Sequence, residues 1–199
     1  MKILEEIELP TGFGIFDMIA VDSGIHDFPH LILKTKNIHS VSDPYVRIHS
    51  ECMTGDVFSS QRCDCGEQLD YSMERIARNG GVLIYLRQEG RGIGLINKMK
   101  AYNLQDQGLD TYEANTQLGL HQDSRDFSIA IEMLEHLNLL SIKLLTNNPE
   151  KVGVFDGSPI NVLERVPIEI TSNDVNRKYL QAKKSRAGHF LSQFGDENF

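Results

Sequence analysis

Three cysteines and their neighbours form the part of the sequence best suited to chemistry. Cys52, Cys63 and Cys65 are the three cysteines of the 199-residue chain, and all lie in the stretch 47–68, which reads RIHSECMTGDVFSSQRCDCGEQ. Because three thiols cannot all pair as disulfides, at least one thiol would always stay outside a disulfide. Three thiolates are, however, a complete set of protein ligands for a catalytic zinc ion, which leaves its fourth tetrahedral position to water or substrate.

The spacing of the cysteines leaves other interpretations open. The pattern Cys-x10-Cys-x-Cys lacks the second cysteine pair of most structural zinc sites, so a structural site would have to recruit His49 or an acid such as Asp64. Ordinary buried thiols are a further alternative. His49 and Glu51 directly precede the first cysteine and favour catalysis, because hydrolysis at a metal needs a nearby proton acceptor.

A glycine-rich stretch with charged side chains is the second candidate for chemistry. It reads RQEGRGIGL at residues 87–95 and matches neither the lysine-containing phosphate loop nor the dinucleotide fingerprint. Loop closure is therefore an alternative explanation. Arg91 nevertheless offers a fork of donors suited to phosphate oxygens, and Glu89 could hold a metal bound to them.

Two shorter segments also carry candidate residues. Asp123 and Ser124 precede a helical pattern, where both residue types are favoured N-caps, so a helix start competes with a catalytic role. Thr146 ends a predicted strand and Lys151 follows one turn into a short helix opened by Pro149, which predicts either an anion site or a surface turn.

Hydrophobic periodicity predicts the elements that position these residues. Residues 2–46 contain apolar runs separated by turn residues, and residues 45–49 form a further strand that leads to the cysteines. From residue 66 onward helices and strands alternate. The helices are predicted at 66–79, 95–107, 127–137 and 176–188, and the strands at 82–86, 142–145 and 162–170. The basic residues of the last helix, Lys183, Lys184 and Arg186, are interpreted as a solvated face.

This element order predicts an α+β fold, with a mostly antiparallel β N-terminal half packed with an α/β C-terminal half in a single domain. The net charge of −8 argues against nucleic acid as a partner, since such binders carry a basic footprint. No apolar run approaches the length of a membrane span. The acidic N-terminus does not resemble a signal peptide, so we expect reduced thiols and a cytoplasmic location.

Taken together, the motifs resemble GTP cyclohydrolase II of riboflavin biosynthesis, in its stand-alone form. The matching segments are RIHSEC at 47–52, QRCDCG at 61–66, RQEGRGIGLINK at 87–98, LQDQG at 104–108, DTYEAN at 110–115 and LTNNPEK at 145–151. Six motifs in one order are highly specific. We expect residues 1–190 to form a single catalytic domain of this family and residues 191–199 a C-terminal tail that can be disordered. Residues 1–44 match only loosely, and no function is attached to them.

The resemblance implies a zinc-dependent hydrolase, acting on a cyclic amidine C–N bond, that opens the imidazole ring of GTP. Loss of C8 as formate and release of pyrophosphate would leave a diaminopyrimidinone ribosylamino monophosphate. The implied cofactors are one Zn²⁺ per chain and Mg²⁺ with the triphosphate, and the implied assembly is a homodimer. Two alternatives are a paralogue that releases pyrophosphate but not formate, and a non-catalytic nucleotide-binding module with structural zinc.

The resemblance also implies roles for individual residues. The three cysteines would bind zinc, and Tyr102 would lie at the guanine base near the attacking water. Asp123 would accept a proton, and Arg125 would attack the α-phosphorus. Since a guanidinium has a pKa above about 12, a competing account keeps Arg125 protonated to stabilise charge on the α-phosphate. The nucleotide would be bound by a larger set: Arg47, Ile48, His49, Ser50, Glu51, Gln68, Glu89, Gly90, Arg91, Thr111, Thr146 and Lys151.

Overall fold

The structure, a computed structural model, describes residues 1–22, 24, 28–121 and 123–195. The chain divides into two units. The first comprises residues 1–49, 69–87 and 127–168, and the second comprises residues 50–68, 88–126 and 169–199. The expectation of one domain over residues 1–190 stays a prediction. Of the predicted tail, residues 196–199 lie outside the described residues.

Seven strands of the first unit form one mixed sheet with the order β1-β2-β3-β5-β4-β6-β7. Neighbours from β1 to β3, and β3 with β5, pair antiparallel, whereas β4 with β6 and β6 with β7 pair parallel. The α+β prediction and its antiparallel N-terminal half are therefore confirmed. The strands are β1 Lys2–Thr11, β2 Gly14–Asp22, β3 His30–Thr35, β4 Tyr45–Ser50, β5 Gly81–Leu86, β6 Ser141–Leu145 and β7 Asn161–Val166.

Helices follow the predicted pattern in most places. Four predicted helices are found within a few residues of their expected bounds, and Pro149 occupies the first turn of a short helix as predicted. The α-helices among the described residues are α1 Met53–Asp56, α2 Cys65–Asn79, α3 Leu95–Gln105, α4 Thr111–Gln117, α5 Ser128–His136, α6 Pro149–Gly153 and α7 Arg177–Ala187.

The central strands of the first unit's sheet, β3, β4 and β5, are buried on both faces. Ile32 belongs to a buried cluster with Met133 of α5, whereas its neighbour Leu33 belongs to a second cluster with Met73 and Ile76 of α2. Because successive strand residues point to opposite faces, the two clusters lie on opposite sides of the sheet. This double coverage explains why β5 is a continuous apolar run rather than an alternating one.

The second unit has no strand of its own among its described residues beyond the last residue of β4. It contains α1, α3, α4, α7 and a 3-10 helix at Glu89–Gly92. A capping box begins α4: the Asp110 side chain accepts from the Glu113 backbone N–H, and the Glu113 side chain accepts from the Asp110 backbone N–H. The Asp-x-x-Glu spacing was a readable signal for this helix, which the periodicity did not predict.

Two predictions of local structure are wrong, and one short helix was not predicted. The last strand ends at Val166, and Ile168 instead exchanges hydrogen bonds with the Asn147 side chain. The helix after Asp123 and Ser124 begins at Ser128 with Phe127 at the N-cap and no side-chain cap, so neither residue is a helix cap. The helix α1 was not predicted, because four residues are too few to show a helical period.

No helix among the described residues has the length and apolar character needed to cross a membrane.

A close backbone contact in the sheet gives a stability prediction. A Cβ atom on Gly81 would lie 2.1 Å from the carbonyl oxygen of Tyr45, on the neighbouring strand. Because backbone atoms cannot rotate away, Gly81→Ala should destabilise the protein by about 1–3 kcal/mol, the usual cost of overpacking. Urea unfolding measures the loss. Gly12→Ala is the matched control, since nothing lies within 4 Å of its Cβ position, and equal stability of the two variants would contradict the contact.

Candidate active site

The three cysteines converge in the second unit as the sequence predicts. Their Sγ atoms all lie within 4.8 Å of one another, and those of Cys52 and Cys63 are 3.6 Å apart. In the part of the chain that the structure describes, no histidine or acid joins this cluster. The recruitment of His49 or Asp64 as a fourth ligand therefore finds no support, and the arrangement suits a metal ion with one open position.

Two glycines make this convergence possible. A Cβ atom on Gly55, in α1, would lie 3.0 Å from the Cys63 sulfur and 3.2 Å from the Cys52 sulfur. A Cβ atom on Gly66 would lie 2.4 Å from the carbonyl oxygen of Gly55. Any side chain at either position would push the two cysteine segments apart, so the glycines are a steric requirement of the cluster.

The three thiols differ in their acidity. Hydrogen bonds from Cys63 and Cys65 lower the pKa of Cys52, and its Sγ also accepts from Lys98 Nζ at 3.1 Å. The shared hydrogen bond with Cys52 raises the pKa of Cys63 to about 11. Hydrogen bonds with Cys52 and Cys63 raise the pKa of Cys65. A soft divalent cation that bound here would deprotonate the other two thiols as well, and three thiolates fit zinc in softness.

Lys98 joins the cysteine cluster to the glycine-rich stretch. Its Nζ donates both to the Cys52 sulfur, at 3.1 Å, and to Glu89 Oε1, at 2.9 Å. Burial opposes its charge, but the Cys52 thiolate and Glu89 outweigh that cost and raise the pKa of Lys98. The other oxygen of Glu89 accepts from the Met53 backbone N–H at 2.7 Å. Glu89 therefore contacts the segment that follows the first cysteine.

The glycine-rich stretch folds into an unusual backbone conformation. Gly90 and Arg91 both have left-handed φ angles, 63° and 62°, and such a conformation is strained for a residue with a Cβ. The Arg91 guanidinium stacks on the Tyr112 ring, 5.0 Å from its centroid. The backbone carbonyl oxygen of Arg91 accepts a hydrogen bond from the Ser124 backbone N–H at 3.0 Å. A Cβ on Gly92 would lie 3.2 Å from Ser124 Cβ, so the two segments pack closely.

Asp123 and Arg125 form a bidentate ion pair in the segment that contacts this loop. Arg125 Nε donates to Asp123 Oδ1 at 2.9 Å, and Arg125 Nη2 donates to Asp123 Oδ2. Burial opposes ionisation of Asp123, but the hydrogen bonds from Arg125 outweigh it and lower the pKa of the carboxyl group. The pair is therefore a carboxylate and a protonated guanidinium.

Tyr102 lies beside the cysteine cluster. Its hydroxyl is 3.5 Å from Thr54 Oγ1, which is itself 3.7 Å from the Cys52 sulfur. The Arg62 guanidinium covers the Tyr102 ring at 5.0 Å and forms a two-pronged ion pair with Asp106, at 2.9 and 3.0 Å. Burial is the main cause that raises the pKa of Tyr102, so the phenol keeps its proton and can donate a hydrogen bond.

A second group of predicted residues lies in the first unit, around the carboxyl ends of the neighbouring parallel strands β4 and β6. Lys151 Nζ donates to the Ile48 carbonyl at 2.9 Å, and Arg47 Nη1 donates to the Leu145 carbonyl at 3.1 Å. The carboxyl ends of parallel strands are a common place for ligands. The group consists of Arg47, Ile48, His49, Thr146 and Lys151.

The remaining predicted residues belong to the second unit. Ser50 is the last residue of β4, and Glu51 is buried. Gln68, in the first turn of α2, donates to the Asp64 carboxylate. Thr111 is the first residue of α4, and its side chain lies outside what the structure describes.

The structure adds residues that the sequence did not single out and corrects one expectation. Lys98 and Arg62 fall inside the recognised motifs, yet only tertiary contacts reveal that they surround the cysteines and Tyr102. The expectation of a solvated face on the last helix is wrong for Lys183, which donates to the buried Asp64 at 2.7 Å. Lys184 donates to backbone carbonyls, including that of Leu191, and Arg186 pairs with Asp110.

Comparisons with known proteins agree with this arrangement. The sequence model of the GTP cyclohydrolase II family matches residues 2–167. The chain belongs to the GTP cyclohydrolase II family. It is 49% identical over 193 residues to a protein of Hahella chejuensis named GTP cyclohydrolase-2, covering 96% of this chain and 93% of that protein.

Longer relatives are also found. Proteins named riboflavin biosynthesis protein RibBA, from Bacillus cereus and Bacillus mycoides, are 48% and 49% identical over 188 residues. In both cases the match covers 94% of this chain and 47% of the relative. The chain thus spans about half the length of these relatives.

The steric role of Gly55 can be tested. Gly55→Ala should weaken metal binding by at least about tenfold, because the added methyl displaces thiols that a metal would hold in fixed geometry. Competition with a chromophoric zinc chelator measures the affinity. The matched control is Gly153→Ala in α6, where the nearest neighbour of the added Cβ is Asp156 Oδ2 at 3.9 Å. Unchanged affinity in Gly55→Ala would show that the cluster can expand without loss.

Proposed function

We propose that this protein is a zinc-dependent hydrolase that opens the imidazole ring of GTP and releases formate and pyrophosphate, the first step of riboflavin biosynthesis. Family membership supports the proposal. The observation that carries it is that three motifs contact one another within one unit. Glu89 contacts the backbone after the first cysteine, and Arg91 contacts the segment that holds Asp123 and Arg125.

The cysteine cluster would serve the guanine end of the substrate. Cys52, Cys63 and Cys65 would hold one zinc ion, which when bound supplies a Lewis acid for hydrolysis at C8. Three thiolates carry one more negative charge than a divalent ion neutralises. The Lys98 ammonium, which donates to Cys52, offsets that excess and keeps the thiolate in place.

Tyr102 would orient the reacting water or the guanine base of the substrate. Its raised pKa keeps the hydroxyl protonated, and the Arg62 guanidinium and Thr54 hydroxyl restrain the ring and its oxygen. A donor held in this way can fix the approach of water without reorganising during the reaction. The presence of Tyr102 favours the full reaction, including formate loss, over ring opening alone.

The family resemblance assigns further residues to the rest of the nucleotide. Glu89, Gly90 and Arg91 would meet the triphosphate, and Glu89 would hold a Mg²⁺ ion that offsets phosphate charge. Arg47, Ile48, His49, Thr146 and Lys151, together with Ser50, Glu51, Gln68 and Thr111, would complete the nucleotide contacts. A homodimer rests on the family resemblance and belongs to the same proposal, as does a cytoplasmic location.

Arg125 would act as a cation at the α-phosphate. Its bidentate pairing with Asp123, together with the lowered pKa of that carboxyl group, stabilises the protonated guanidinium and makes the carboxylate a weak base. We therefore favour charge stabilisation at the α-phosphate over nucleophilic attack by Arg125. Asp123 would orient the guanidinium, and the family resemblance assigns it the role of proton acceptor.

The decisive measurement follows the two products separately. Purified protein loaded with zinc is mixed with GTP and magnesium, and formate and pyrophosphate are quantified over time. We expect both products in equal amounts. Pyrophosphate without formate would identify the paralogue reaction, whereas neither product would exclude the enzyme and leave a nucleotide-binding module with structural zinc.

A substitution at Arg125 tests the phosphate end. Arg125→Lys should abolish pyrophosphate release, because an ammonium cannot reproduce the planar, two-pronged contact with Asp123. Arg186→Lys is the matched control, since Arg186 also pairs with an aspartate in the same unit but at an exposed position. Near-normal pyrophosphate release by Arg125→Lys would remove Arg125 from both of its suggested roles.

A further inference from the structure

A buried carboxylate lies between two of the predicted zinc ligands. Asp64 separates Cys63 from Cys65, and only 2% of its surface is exposed. It is not part of the metal cluster. Its side chain accepts instead from Lys183 Nζ at 2.7 Å and from the Gln68 side chain. A carboxylate in this position needs both partners, because a buried charge without them carries a large desolvation cost.

The partner cation comes from a distant part of the chain. Lys183 lies on α7, 119 residues after Asp64, and α7 falls outside residues 2–167, which the family model matches. The Lys183 side chain is 13% exposed, and its Nζ lies 4.5 Å from the centroid of the Tyr179 ring on the same helix. The fully buried Leu180 anchors the helix, so Lys183 is held rather than mobile.

The position of Asp64 gives this ion pair an effect on the neighbouring thiols. Cys63 and Cys65 are each one residue from Asp64, so the orientation of its peptide units sets the direction of both Cα–Cβ bonds. A salt bridge that fixes the carboxylate therefore restricts the backbone on both sides of Asp64, and with it the positions of the two cysteine Cβ atoms. Contacts of this kind, one step removed from a metal ion, commonly change metal affinity by a factor of 10–100.

We propose that Lys183 is a positioning residue of the zinc site. Through its salt bridge with Asp64 it holds the Cys63–Cys65 segment in the geometry that lets both thiolates bind one ion, and α7 is thereby part of the metal site. The inference rests on the proposed zinc function and adds a residue to it that lies beyond the recognised motifs.

A purely structural role for the pair predicts a different outcome. If Lys183 only attached α7 to the unit, its loss would lower the stability of the zinc-free and zinc-loaded protein equally. If Lys183 positions the ligands, its loss should reduce the extra stability that zinc provides, because that increment depends on zinc affinity.

The experiment compares variants of the full chain by zinc affinity, cobalt spectra and melting temperature. Lys183→Met should weaken zinc binding about 10- to 100-fold in chelator competition and alter the thiolate-to-metal absorption of the cobalt-substituted protein. Lys183→Arg, which keeps the charge, should recover most of the affinity. Arg186→Gln is the matched control on the same helix, because Arg186 pairs with Asp110 and not with the cysteine segment, and it should stay within about twofold of wild type.

A second variant keeps the test decisive if Lys183→Met does not fold. Asp64→Asn combined with Lys183→Met removes both charges, so no buried charge is left unpaired, yet the segment loses its salt bridge and should still bind zinc more weakly. Wild-type affinity in either variant, or an equal loss in Arg186→Gln, overturns the positioning role. Absence of zinc binding by the wild-type protein would instead overturn the proposed function itself.

Discussion

Close packing of three cysteine sulfur atoms is the constraint on which the second unit depends. Three sulfur atoms lie within 4.8 Å of one another, and three thiolates at such distances repel strongly unless cations lie among them. Gly55 and Gly66 let the cysteine segments approach each other, and the ammonium group of Lys98 contacts Cys52. The same lysine also donates to Glu89. The position of the glycine-rich loop is therefore coupled to that of the Cys52 thiol.

Three cations of the second unit pair with carboxylates. Lys98 and Lys183 meet carboxylates that are almost buried, and Arg125 meets the more exposed Asp123. Such pairs specify geometry more than they add stability, because desolvation offsets much of their attraction. A net charge of −8 therefore says little about the site, where a few positive groups are held at fixed positions beside thiols and carboxylates.

Much of the first unit could be predicted from sequence because its sheet is regular. Apolar runs such as β5 and amphipathic helices such as α5 carry a period that a local window can read. The convergence of the cysteines was predicted from their type and spacing. The ion pair beside the cysteines could not be predicted in this way. Asp64 and Lys183 are 119 residues apart, and a lysine in a basic helix looks the same in a local window whether it contacts water or a buried carboxylate.

The strand order has a consequence for how the chain is made. In the sheet, β5 lies between β3 and β4, and β4 has β6 as its other neighbour. During synthesis from the N-terminus, β1 to β3 can therefore form a meander at once, whereas β4 must wait for partners encoded later. The cysteines that follow β4 leave the ribosome well before Lys98 and long before α7. The thiols are thus synthesised before Lys98, which donates to Cys52, and before Lys183, which donates to Asp64.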